Sequence, residues 1–472
     1  MHSNSKASGI GTGASKQIYI LIFISFFFFW GVNLEQIKLS YILPHNHEYY
    51  NFFNKIKLSY SIIFLLIPIF YSYMKKRTSS FKQIYNYQQY IMFFFLFIVA
   101  HFFFVKFYYH EVIDKSEIAN LLYLLILSLI YCHYRNFILV NLKKIIIFYL
   151  IIFIIYSIYD GSQIFHNGLY DIEGVLYFKN VGQCNNDIFL IDLLGSFLNI
   201  SLSNSIYLEN SHLAMMTIPV LFSSLYIFIY ERKKNILFLL LFLMQILILL
   251  NNLSTTYFVA YFASMMILLL FFFNKINIKF LIIGVIFLII NSYLFFADKQ
   301  CSNKVTDFKI QKMMENSTLL YNKTSEKTDR INLTTLIYQR SVLVAKETVL
   351  HHSLGWGIDG MNNANKDLMI RYRSKAPIFE ETTLFWQLRY LNLKDGLTNL
   401  LKLFTEFGVF AFIIYFYFLK YLLNIKNINS YNLFIIVLFI TLSIRGAGYF
   451  NGGFIFCVLE FFYQKKLTDN KN

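Results

Sequence analysis

Charge is what this sequence most conspicuously lacks: Asp, Glu, Lys and Arg make up 14% of its 472 residues, against about 25% in soluble domains. A soluble all-helical enzyme of this length needs polar outer faces on its helices, and these charges are too few to supply them. Cysteine is sparse as well, with 4 in the chain. There is no Cys-x-x-Cys pair and no Cys/His grouping at metal-ligand spacing, so no zinc framework and no metal site are expected. A Walker A loop is absent, which excludes ATP hydrolysis through that device, and neither a His-Glu-x-x-His helix nor a Gly-x-Ser-x-Gly elbow occurs. Proline (4) and glycine (19) are also few, whereas Phe, Tyr, Ile, Asn and Lys abound. The favoured residues share A/T-rich codons, so the aromatic richness speaks of base composition before it speaks of a ligand.

What fills the chain instead is a succession of apolar runs of about 17 to 25 residues, each long enough to cross a hydrocarbon core. With 57% hydrophobic residues and runs that are apolar all round, the expected fold is an all-α polytopic integral membrane protein of about 12 transmembrane helices. Residues 1–16 are polar and precede an apolar run at 17–32 that lacks a small-residue cleavage site, so it reads as an uncleaved first helix. Further spans are expected near 56–74, 88–105, 119–134, 145–159, 212–230, 235–251, 257–273, 280–296, 400–423, 432–447 and 450–463.

The net charge of +16 would suit a nucleic-acid partner if it were clustered on one face. It is instead distributed over alternate connections: Lys75, Lys76 and Arg77; Arg135, Lys143 and Lys144; Arg232, Lys233 and Lys234; Lys275 and Lys279; Lys420 and Lys426; Lys465 and Lys466. That alternation is the positive-inside pattern, so these loops and both termini are expected in the cytoplasm and no nucleic acid is expected as a partner.

The chain then divides into a cytoplasmic N-terminus (1–16), five helices (17–159), a large external loop (160–211), four helices (212–296), a second large external loop (297–399), three helices (400–463) and a cytoplasmic tail (464–472). Cys184 and Cys301 fall in the two external loops, where an oxidising compartment permits a disulfide.

The second loop is long for a connection, and such loops are usually functional. It carries more cations than carboxylates, a balance that suits an anionic lipid-linked substrate and equally suits a solvated mixed-charge domain. Within it, 333–352 has helical periodicity, with Leu336, Ile337, Leu343, Val344 and Leu350 on one side. Arg340, Glu347 and His351 share another side, and Gly355 and Gly357 then permit a tight turn. Arg371, Arg373 and Lys375, then Glu380 and Glu381, then Arg389 follow. Guanidinium forks suit a diphosphate, and a neighbouring carboxylate suits removal of a proton from a sugar hydroxyl. Salt bridging inside a folded loop is the competing account of each. At membrane level the ionisable residues are His101, His133, His212, Glu406, Arg445 and Glu460, a costly placement that points to a cavity, a partner or the interface. His133 and Glu460 read as structural; His212, Glu406 and Arg445 lie at external ends of spans.

Together these elements resemble the O-antigen polymerase and O-antigen ligase superfamily. Arg340 followed by His351, His352, Ser353, Leu354, Gly355, Trp356, Gly357, Ile358 and Asp359 looks like that family's arginine and "hPlfGwGxg" element. Asn399, Leu400 and Leu401 through Glu406, Phe407 and Gly408 look like its "NxLlqllaEfG" helix start, and 210–214 and 253–256 resemble earlier helix starts. Ligases of the superfamily carry a histidine just before the "NxL" element; this chain has Asp395, Gly396, Leu397 and Thr398 there, so the polymerase is favoured.

The resemblance implies a bacterial inner-membrane protein, multi-pass, with the two large loops periplasmic. It implies transfer of a growing glycan from undecaprenyl diphosphate to an incoming lipid-linked repeat unit, with no metal or other cofactor. Arg340, Arg371, Arg373 and Arg445 would hold the diphosphate, and the catalytic set would add a base left open among Glu380, Glu381, Asp395 and His212. A lipid-linked oligosaccharide is the implied partner besides the bilayer, and a chain-length regulator is a further one. The alternatives are the ligase and a lipid-linked oligosaccharide flippase; the latter should show two related halves, which this sequence lacks.

Overall fold

The computed structural model describes residues 14–29, 60–75, 79–109, 113, 115–167, 210–230, 238–239, 242–243, 255–297, 333–372, 398–446 and 453–463. Every regular element among them is helical. In chain order they are α1 (Ala14–Phe29), α2 (Tyr60–Lys75), α3 (Ser79–Tyr108), α4 (Lys115–Asn167), α5 (Asn210–Tyr230), α6 (Thr255–Phe272) and α7 (Ile278–Ala297). These are followed by α8 (Leu333–His351), α9 (Met361–Tyr372), α10 (Asn399–Phe407), α11 (Ala411–Asn424), α12 (Ser430–Ile444) and α13 (Phe454–Tyr463). Four stretches among the described residues are long and apolar enough to cross a membrane: Ile91–Tyr108, Glu117–Ile151, Tyr257–Lys275 and Asn399–Asn424. Their length and composition mark a membrane protein. Shorter apolar helices such as α12, with 15 residues, extend only about 22 Å, less than the roughly 30 Å of a hydrocarbon core.

The expected gap between spans 119–134 and 145–159 is not a loop. α4 runs unbroken for 53 residues, about 80 Å at helical rise, straight through Arg135, Lys143 and Lys144. No proline occurs in it and its first glycine is Gly161, so nothing in the backbone interrupts the ladder. The Arg135 charge is neutralised inside the bundle. Arg135 donates from Nε and Nη2 to the two oxygens of Glu460 at 2.7 and 2.6 Å, and Tyr131 donates its hydroxyl to Oε2 at 2.8 Å. The Tyr463 ring lies 4.4 Å from the guanidinium carbon. A bidentate pair with hydrogen-bonded surroundings is the arrangement that makes buried charge tolerable. α4 also carries the start of the first expected loop, from Asp160 to Asn167, as helix.

α12 is the hub. Its residues Leu433 through Ser443 are all buried, as befits a helix apolar on every side. It packs on α5, α6, α10 and α13. Asn429 caps its start by accepting from the Asn432 amide at 2.8 Å. Beside that start the α6–α7 and α11–α12 turns are stapled together: Lys275 Nζ donates to the Ile425 carbonyl and Tyr226 to that of Ile428, both at 2.7 Å, while the Asn277 amide meets the Tyr230 hydroxyl. Exposed Lys275, Lys279 and Lys426 therefore share this end. α10 and the turn after α8 lie at the other.

Candidate functional site

The helix expected at 333–352 is α8. Ile337, Leu343 and Val344 are buried as expected, but Leu350 is 62% exposed. Arg340, Glu347 and His351 do not form one surface. His351 is exposed and pairs with Glu347 at 3.4 Å, whereas Arg340 is 2% exposed and the largest fully buried side chain among the described residues. Burial draws its guanidinium from the ordinary 12.5 down to about 10, which leaves it a cation at neutral pH. α8 and α9 share a small core of Leu343, Val344, Met361, Ala364 and Leu368, covered by Trp356.

Between α8 and α9, residues 352–360 fold into a turn that docks by its backbone onto the break between α10 and α11. Trp356 N donates to Thr405 O at 3.0 Å, Gly357 N to Glu406 O at 2.9 Å and Val409 N to Ser353 O at 2.9 Å. The last turn of α10 would otherwise leave these carbonyls without partners. Contact this close demands glycine. A Cβ on Gly355 would sit 2.3 Å from Glu406 O, and one on Gly408 2.0 Å from Ser353 O; both glycines also have positive φ, at 82° and 54°. Gly408 begins a short 3-10 turn, Gly408–Phe410, so the span expected as one helix over 400–423 is two helices with a break that accepts the loop.

The turn is held from a second direction by α3. His101 Nε2 donates to Leu354 O at 2.7 Å, and its ring lies on Phe407 with centroids 5.0 Å apart. His352 sits between Tyr109 at 5.0 Å and Trp356 at 4.3 Å, and Trp356 Nε1 donates to Thr348 Oγ1 at 3.2 Å. Ile358 of the turn and Leu403, Phe407 and Phe410 beside it line an apolar cleft with Phe97 of α3.

α10 presents a polar face inward. Thr398 caps it, accepting from the Leu401 amide at 3.0 Å. Asn399, Lys402 and Glu406 follow at 0, 3 and 0% exposure. Lys402 Nζ lies 3.8 Å from Glu406 Oε1. The Asp359 and Met361 backbone amides approach the same carboxylate, although neither of its oxygens meets hydrogen-bond geometry. The Asn399 carboxamide rests on Gly446, where an added Cβ would come within 2.3 Å of Nδ2, and neither of its polar atoms has a hydrogen-bond partner.

The structure thus brings together Arg340's helix, His352, Gly355, Gly357, Glu406 and Gly408, with Arg445 at the adjoining end of α12, half-buried and donating its amide to Thr441 O at 3.0 Å. His212 lies in the first turn of α5 and Arg371 in the last turn of α9; their side chains, together with Arg373, Glu380, Glu381, Asp395, Cys184 and Cys301, lie outside the described residues. Sequence reasoning marked His101 only as an ionisable residue at membrane level and Asn399 only as the start of the family-like element, and it gave no role to Lys402. The i,i+4 spacing of Lys402 and Glu406 was the available signal for one of them; nothing in the chain near His101 announces a partner 253 residues away. Among the described residues no group of three His, Cys, Asp or Glu could hold a metal. The chain matches no family model, no curated protein and no solved structure.

Proposed function

We propose that this chain is a surface-polysaccharide polymerase that moves a growing glycan from undecaprenyl diphosphate onto the sugar of an incoming lipid-linked repeat unit. One observation carries the reading. The two sequence elements that resemble the O-antigen polymerase superfamily, Arg340 to Asp359 and Asn399 to Gly408, are docked onto each other by main-chain hydrogen bonds that require glycine at Gly355 and Gly408. They are forty positions apart in the sequence at their nearest, and such a meeting is what a shared site needs.

In this reading the helices cross the inner membrane of a bacterium and the segment 297–399 faces the periplasm, while the single helix α4, standing where two spans and a cytoplasmic loop were expected, withdraws the periplasmic placement of 160–211. The gathering of Lys275, Lys279 and Lys426 at the end of the bundle away from α10 supports that orientation. The bond between the anomeric carbon and the diphosphate oxygen breaks. The acceptor hydroxyl oxygen bonds that carbon, and its proton passes to a base among Glu380, Glu381, Asp395 and His212. The lipid diphosphate leaves with the bonding electrons. Arg340, aided by Arg371, Arg373 and Arg445, would stabilise that departing charge. A buried guanidinium in a low-dielectric setting interacts with phosphate more strongly than one in water.

Deleting the gene should leave single repeat units on the cell surface in place of long chains, and the wild-type chain should restore them. Arg340→Ala should fail to restore them while inserting at normal abundance. Chain-length analysis of the surface polysaccharide decides: unchanged lengths remove Arg340 from the site, and loss of even single capped units points to a flippase or a ligase.

A further inference from the structure

The inward face of α10 holds a set of polar groups that the fold leaves unsatisfied. Asn399 and Glu406 are both 0% exposed, and Asn399 Nδ2 and Oδ1 and both Glu406 carboxylate oxygens lack a hydrogen-bond partner. Leaving one buried polar group unmet costs about 1–3 kcal/mol, and native structures rarely retain several together without a use for them. The two residues are seven apart and lie on one side of the helix, separated by about 10 Å along its axis, with Lys402 between them.

We infer that this strip is the seat of a sugar residue, and the inference deepens the polymerase reading on which it rests by naming where the glycan's hydroxyls are held. The unmet inventory decides the ligand class. It comprises one donor group, Asn399 Nδ2, and one acceptor, Asn399 Oδ1, beside the Glu406 carboxyl, which Lys402 and the Asp359 and Met361 amides already approach. A phosphate offers acceptors only and would leave Asn399 Oδ1 unmet. An apolar chain would leave every one of these atoms unmet. A hydroxyl both donates and accepts, and a sugar brings several at fixed spacing. Leu400, next to the strip's outer end, is 37% exposed. That end adjoins the diphosphate candidate Arg445, because the Asn399 amide rests on Gly446. A sugar there lies next to the group it is to leave or join. The docked turn covers the inner end, so ligand entry requires that turn to lift from Gly408.

The experiment uses the full-length chain returned to a deletion strain, with thermal unfolding of the same variants purified in detergent. Asn399→Leu removes an unmet polar group without opening a cavity, and Asn399→Ala does so with less bulk. At least one of the two should unfold at or above the wild-type temperature yet shorten the surface chains at least tenfold. A structural role overturns the inference if both variants lose stability in step with chain length. Normal chain length in a stable variant overturns it equally. The polymerase reading fails separately, if the deletion strain itself makes full-length chains.

Discussion

Gly408→Ala tests the docking on which the site depends. The residue has φ of 54°, and a Cβ there would lie 2.0 Å from the Ser353 carbonyl oxygen and 2.6 Å from Gly355 N. Both obstacles are backbone, so no rotamer change relieves them, and the positive φ adds strain of about 1–3 kcal/mol for a non-glycine residue. The chain escapes by lifting the turn, which forfeits the bonds from Val409, Trp356 and Gly357. At about 1 kcal/mol net for each of those bonds, docking weakens by about 3 kcal/mol, roughly a hundredfold in the docked-to-open ratio. Amide hydrogen exchange of residues 353–361, followed by mass spectrometry in detergent, reads that ratio because local opening governs exchange. Exchange there should accelerate about a hundredfold, with α12 unchanged. Leu423→Ala, at an exposed position, serves as the neutral control. Wild-type protection of 353–361 in Gly408→Ala would refute the docking argument.

Three further outcomes follow from the same geometry. Glu460→Ala leaves Arg135 buried without its bidentate carboxylate and should cost about 3–5 kcal/mol of stability; the double change Arg135→Met with Glu460→Leu should recover most of it in thermal unfolding, and equal loss in both would deny the pair. Burial lowers the Arg340 guanidinium to about 10, so protonation favours the unfolded chain, a penalty fully present at neutral pH that lifts only as pH climbs past about 10. Arg340→Met should accordingly hold or raise the unfolding temperature at neutral pH while abolishing chain elongation; a marked drop in that temperature would show that the cation stabilises the fold. For orientation, single cysteines replacing exposed Ser353 and exposed Lys279, in a background lacking the 4 native cysteines, should react with an impermeant maleimide from opposite faces of the membrane; labelling of Ser353→Cys from the cytosolic face alone would reverse the topology and end the polymerase proposal.

Helices that bury themselves in lipid or in one another need only a long apolar run, and that run is a property of consecutive residues. The helices at 212–230, 257–273, 280–296 and 432–447 could therefore be read in advance to within a few positions of α5, α6, α7 and α12. The glycine stop after α8 was equally local, because Gly355 and Gly357 break a helix wherever they occur. The error at Arg135 came from the opposite situation. A charge in an apolar run implies a loop only while its counter-ion is unknown, and Glu460 lies 325 residues away.

The sequence by itself thus determined the material of this protein: apolar helices, basic connections and a glycine-punctuated loop bearing Arg340. Tertiary structure decided where the loop docks, because a backbone carbonyl has no sequence signature. Only folding shows that Gly408 receives Ser353, that His101 holds Leu354, and that Asn399 meets Gly446 with its amide still unmet. Hydrophobicity is written residue by residue and can be read that way; a hydrogen bond, made or missing, belongs to two places in the chain at once.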